Sequence, residues 1–126
     1  MRGSGKILVM DDQEDVLDSL GMLLELLGYE VEKSYDSDEA TEKYLQSFEK
    51  GEPFDIVFVD LTVPGGKGGL DALSRIRKID PQCKVILTTG YGNDEFFSNH
   101  LSLGFSALLS KPFDFDSLKE VLSKLS

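Results

Sequence analysis

A doubly wound α/β domain, one parallel sheet with helices on both faces, is the fold class this sequence predicts. Three observations carry that expectation. Five short, β-rich apolar runs alternate with five longer stretches of helical periodicity along the 126 residues, the pattern of repeated strand–helix–strand units. Four of the five runs are continuously apolar, as strands covered on both faces are. Four of the five end on polar residues suited to phosphate chemistry, and open α/β sheets bind ligands at the carboxyl ends of their strands.

Residues 1–5 read as a flexible lead-in or a tag remnant, which leaves 6–125 as the domain. The first strand, Ile7-Leu8-Val9-Met10, ends on Asp11-Asp12. A helix over 15–27 places Val16, Leu20, Leu23, Leu24 and Leu27 on one face, and Gly28 stops it where a left-handed residue is needed. Residues 29–34 form the run with no such polar terminus. A helix over 37–50 carries Ala40, Tyr44 and Phe48, with Ser37 as N-cap and Asp38 and Glu39 in an acidic first turn. Ile56-Val57-Phe58-Val59 ends on Asp60. The next helix, 70–79, turns Leu73, Ile76 and Ile79 inward and stops at Asp80-Pro81. Val85-Ile86-Leu87 ends on Thr88-Thr89. A shorter helix over 93–103 is capped by Asn93 and closed by Gly104. Ala107-Leu108-Leu109 ends on Ser110-Lys111-Pro112, and a last helix over 116–125 buries Leu118, Val121, Leu122 and Leu125.

This length is one domain with room for a core without disulfides. No run nears the roughly 20 apolar residues of a membrane span, and no secretory signal opens the chain. The single cysteine, Cys83, excludes an internal disulfide and fits a reducing cytoplasm. A net charge of -10 with 13 scattered basic residues argues against nucleic-acid binding, which needs clustered Lys and Arg.

Two adjacent carboxylates at one strand end, with Asp60 at another, suit a hard divalent cation. Magnesium takes few carboxylates, keeps several waters and shares phosphate oxygens. Asp11-Asp12 reads equally as an N-cap and acidic first turn for the following helix. Lys111 is either a solvated strand terminus or a cation that offsets carboxylate repulsion and meets a phosphoryl oxygen. Pro112 allows a cis peptide that re-aims it. Thr89 offers a hydroxyl at the same edge, while Thr88 points into the core because strand neighbours alternate faces. The lone His100 reads as an ordinary helix residue, and Cys83 has no base beside it.

Val9-Met10-Asp11-Asp12, Val59-Asp60-Leu61-Thr62-Val63-Pro64-Gly65-Gly66, Thr89-Gly90-Tyr91-Gly92 and Lys111-Pro112-Phe113 together resemble the receiver domain of two-component response regulators. The resemblance implies a flavodoxin-like (βα)5 fold, its five-stranded parallel sheet ordered 2-1-3-4-5 with residues 29–34 at the edge. It implies a phosphoacceptor domain of a phosphorelay, in which Asp60 takes a phosphoryl group from a kinase phosphohistidine with magnesium, or manganese, as cofactor. Asp11 and Asp12 would bind the metal, Asp12 directly and Asp11 mainly through water, joined by Asp60 and the Thr62 backbone carbonyl. Thr89 and Lys111 would hold phosphoryl oxygens, and the peptide before Pro112 would be cis. Thr62 and Tyr91 would flank the path of the hydrolytic water and tune phosphate lifetime. The implied partner is a sensor histidine kinase or a histidine phosphotransfer domain, in the cytoplasm, with the isolated domain a monomer or weak dimer and no nucleic acid or membrane involved. Such a domain assists its own phosphorylation and dephosphorylation without being an enzyme. The Pro-Gly-Gly loop and the Gly-Ser-Gly-Lys lead resemble receivers at the C-terminal end of hybrid sensor kinases.

Departures from that family pattern are local. Leu108 stands three before Lys111, where many receivers carry a switch aromatic. The helix over 93–103 holds no Lys or Arg for the salt-bridged dimer of DNA-binding regulators; Phe96, Phe97 and Leu101 there are core or an apolar partner surface. The loop over 64–69 lacks the glycine spacing of a dinucleotide site. Two other functions compete: a magnesium-dependent phosphohydrolase with Asp60 as nucleophile, which lacks a second aspartate at Thr62 to act as general acid, and a pseudo-receiver acting by partner binding alone.

Overall fold

The structure is a computed structural model that describes residues 5–61, 68–90, 99 and 101–125. In chain order these form β1 (Lys6–Met10), α1 (Glu14–Leu26), β2 (Glu30–Ser34), α2 (Ser37–Glu49), β3 (Ile56–Asp60), α3 (Gly69–Ile79), β4 (Lys84–Thr89), β5 (Ala107–Ser110) and α4 (Phe115–Ser123). All five strands are parallel in the order β2-β1-β3-β4-β5. Of the expected helix over 93–103, residues 99 and 101–103 are helical, and they end at Gly104, whose φ of 108° suits glycine. Asn93, Phe96, Phe97 and His100 lie outside the described residues, as do residues 1–4 and most of the loop over 64–69. Among the described residues no helix is long and apolar enough to cross a membrane.

Strand periodicity builds two cores. Leu8, Met10, Val57, Val59, Val85 and Leu87 pack with Ala40, Tyr44, Ala72, Leu73 and Ile76, beneath α2 and α3. Their strand neighbours Ile7, Val9, Ile56, Phe58 and Ile86 pack with Leu17, Leu20, Leu24, Leu118 and Val121, beneath α1 and α4. Alternation within β1, β3, β4 and β5 feeds both layers, which is why those four runs are continuously apolar. The outer strand β2 lies beside β1, and its burial is partial.

Three local expectations need correction. Leu17 is fully buried with Leu20 and Leu24, whereas Val16 and Leu23 are half-buried: the helix face is centred one residue later than expected. Phe48 is 40% exposed and Ser47 takes the inward place, while the Phe48 ring stacks on Tyr44 at 6.4 Å. The N-cap of α2 is Asp36, not Ser37. Asp36 has extended backbone and its carboxylate accepts from the Glu39 N–H at 2.9 Å, while the Glu39 carboxylate accepts from the Tyr35 N–H at 2.7 Å. Asp wins because its oxygen reaches the third backbone donor from outside the helix, and the Ser37 hydroxyl instead donates to Asp71 at 2.5 Å. Asp36→Ala should therefore cost about 1 kcal/mol of stability, read as a lower urea midpoint. An unchanged midpoint would show that this cap contributes nothing.

Cys83 is buried and its thiol is pushed up to about 11, chiefly by burial, so it is no nucleophile.

Candidate functional site

The sheet order reverses between β1 and β3, and the crevice at such a reversal is where doubly wound sheets bind ligands. Asp11 and Asp12 leave the end of β1 and Asp60 is the last residue of β3. One carboxylate oxygen from each of the three lies within 4.8 Å of the others. Asp11 and Asp60 are 1% and 6% exposed, while Asp12 is exposed. Backbone ties fix these positions: the Asp11 N–H donates to the Ser34 carbonyl, and the Gln13 N–H donates to Asp11 Oδ1 at 2.9 Å. After Asp60, the Leu61 N–H donates to the Thr88 carbonyl.

Lys111 reaches this cluster from the end of β5. Its Nζ donates to Asp11 Oδ2 at 2.8 Å and to Asp60 Oδ1 at 3.0 Å. Its backbone N–H donates to the Thr89 carbonyl at 2.8 Å, and the Lys111–Pro112 peptide is cis. Burial opposes the lysine's charge, yet the hydrogen bonds to Asp11 and Asp60 outweigh it and hold its pKa above the ordinary value. Asp60 is pushed up to about 6, first by burial and further by the charge of Asp11, against the lowering effect of the Lys111 hydrogen bond. Carboxylates this close repel, and one lysine does not neutralise three.

That donor set fits a hard dication. Oxygen ligands from a few carboxylates, one of them open to water, match the preference of magnesium or manganese. Excess negative charge in a partly buried site is what such an ion would relieve.

Thr89 ends β4 and is 1% exposed. The Thr88 hydroxyl is spent inside the sheet, donating to the Val59 carbonyl at 3.2 Å. Leu108 is half-buried, sits opposite Leu87 and packs against the core beneath α2 and α3. Thr62 and Tyr91, expected to tune the site, lie outside the described residues. What the sequence did not reveal is that Lys111 bridges both the Asp11 and the Asp60 carboxylates; the charge excess at one sheet edge was the only signal for it.

The response regulator receiver domain family model matches residues 7–123. Sporulation initiation phosphotransferase F of Bacillus subtilis is 30% identical over 119 residues, covering 94% of this chain and 91% of the relative. Chemotaxis protein CheY of Thermotoga maritima is 32% identical over 122 residues, covering 96% and 97%. A response regulator receiver domain protein from Clostridium thermocellum, solved by crystallography, superposes with a TM-score of 0.81 at 31% identity, covering 94% of this chain and 91% of that one.

Proposed function

This chain belongs to the response regulator receiver domain family, the phosphoacceptor domains of two-component systems, and on that premise we propose that Asp60 is its phosphoacceptor. The observation that carries the assignment is the buried Asp60 carboxylate, hydrogen-bonded to Lys111 and within 4.8 Å of Asp11 and Asp12 oxygens.

Asp60 is a weak nucleophile, so the reaction depends on position and charge. Its ionised oxygen attacks the phosphorus of a phosphohistidine in line. The bond to the histidine nitrogen breaks, and that nitrogen keeps the electron pair. Lys111 then offers its N–H to a phosphoryl oxygen in place of the carboxylate, and the hydroxyl of Thr89, the last residue of β4, would hold another. Asp11, Asp12, Asp60 and the Thr62 carbonyl would hold magnesium, or manganese, which when bound offsets charge on the transferring oxygens. Water attacking the phosphorus later breaks the bond to the Asp60 oxygen, which keeps the electron pair, so inorganic phosphate leaves and the carboxylate is restored. Phosphorylation then shifts the domain between inactive and active states. Leu108, in place of a ring, must relay that shift by aliphatic repacking against Leu87.

The proposed donor is a cytoplasmic sensor histidine kinase or histidine phosphotransfer domain, acting on a monomer or weak dimer. The Pro-Gly-Gly loop supports placement within a hybrid kinase.

Acetyl phosphate with magnesium should add one labile phosphoryl group by intact mass, and Asp60→Ala should add none. Steady turnover of p-nitrophenyl phosphate would favour a phosphohydrolase, and no modification by any donor a pseudo-receiver. We further assign lifetime tuning to Thr62 and Tyr91, so Tyr91→Ala should dephosphorylate several-fold faster than the parent. Equal decay rates would remove that role.

A further inference from the structure

We propose that Gly69, the first residue of α3, is a positioning residue for the phosphoacceptor, an inference that rests on Asp60 having that role. A β-carbon built on Gly69 would lie 2.9 Å from the backbone carbonyl oxygen of Asp60 itself. It would also lie 3.2 Å from Val59 Cγ2 and 3.3 Å from Leu87 Cδ1. The Gly69 N–H meanwhile donates to the Leu61 carbonyl at 3.2 Å. The start of α3 thus rests directly on the two peptides that carry and follow the nucleophile. Conformation does not explain this glycine, because Gly69 is not among the glycines with positive φ. Closeness of approach does.

Neither side can easily yield. On the far side, α3 is tied to α2: the Ser37 hydroxyl donates to Asp71 at 2.5 Å, and Arg75 Nη1 donates to Asp38 Oδ1 at 2.6 Å. On the near side, β3 is buried along its whole length. A side chain at 69 would therefore push the Asp60–Leu61 peptide as well as the helix. The Asp60 carboxylate moves with that peptide, and its place 3.0 Å from Lys111 Nζ and near the Asp11 and Asp12 oxygens is what the chemistry needs. A misplacement of about 1 Å costs on the order of 100-fold in rate, so relief of a few tenths of an ångström here should cost about 10-fold.

Gly69→Ala is a discriminating test because helix propensity alone would favour alanine. Phosphorylation by acetyl phosphate at saturating magnesium and donor is followed by intact mass, per folded molecule, with the folded fraction taken from circular dichroism. The rate constant should fall about 10-fold or more while the circular dichroism spectrum stays native. Gly21→Ala serves as control. Gly21 is a buried helix glycine whose nearest outside atom is Lys33 Cε, near the end of a long side chain, at 3.1 Å, and the variant should load at the parent rate. Parent-rate loading in Gly69→Ala overturns the positioning role alone. Failure of the parent protein to load overturns the receiver reading, and this inference with it. A second measurement needs no variant: in the parent, the Gly69 amide resonance should shift on adding magnesium and beryllofluoride, while that of Gly21 stays in place. A Gly69 amide that does not respond also overturns the proposal.

Discussion

Lys111→Met is expected to destabilise the metal-free protein by about 3–5 kcal/mol at pH 8 and to slow phosphorylation about 100-fold or more. The lysine is the one cation among the described residues that hydrogen-bonds the carboxylates at this edge, and it serves Asp11 and Asp60 together. Methionine keeps the length of the side chain and removes the charge, leaving two buried carboxylates facing each other. The loss depends on pH in a definite direction. Asp60 already sits near 6, above its ordinary 3.8, and removal of Lys111 takes away the contact that lowers it. Below that raised value Asp60 takes a proton and the repulsion fades, so the penalty should shrink from pH 8 to pH 5. Urea denaturation in a chelating buffer at both values measures it. A penalty equal at both, or absent at pH 8, would mean that the lysine does not hold the carboxylates together.

Asp60→Asn should abolish phosphorylation and, in metal-free buffer at pH 8, raise stability by on the order of 3 kcal/mol. A carboxyl whose folded pKa is raised binds its proton more tightly when folded than when unfolded. Stability from this group is therefore lost as pH rises from about 4 through about 6, and above that window the native state carries the full cost of a buried charge. Asparagine carries no charge and still accepts from Lys111. Its advantage should disappear near pH 4, where aspartate is protonated in the folded state. Saturating magnesium should narrow the gap at pH 8 by favouring the ionised parent. Lower stability of Asp60→Asn at pH 8 would show that this carboxylate is not under strain.

Most of this protein was legible in the order of its residues. Continuous apolar runs ending on Asp11-Asp12, Asp60, Thr88-Thr89 and Lys111 place strands and site together, because a parallel sheet gathers every strand's carboxyl end at one edge. Less visible were features decided by atoms several ångströms apart in space. Asp36 caps α2 because its carboxylate reaches the Glu39 N–H from outside the helix, while the Ser37 hydroxyl donates to Asp71 on another helix. Phe48 turns outward while Ser47 takes the inward place, its hydroxyl accepting from the Lys6 ammonium. Gly69 reads in the sequence as one more glycine of the loop over 64–69, and only the approach of α3 to the Asp60 peptide distinguishes it. Spacing reveals which residues share an edge, but not which backbone atoms touch.

The most direct measurement locates the phosphoryl group. After reaction with acetyl phosphate and magnesium, borohydride reduction converts an aspartyl phosphate to homoserine, and peptide mass spectrometry then reads the position. Homoserine at residue 60, absent without magnesium and without donor, is the expected result. Homoserine at Asp11 or Asp12, or an unreduced chain despite a mass gain on the intact protein, would contradict the assignment of Asp60 as the phosphoacceptor.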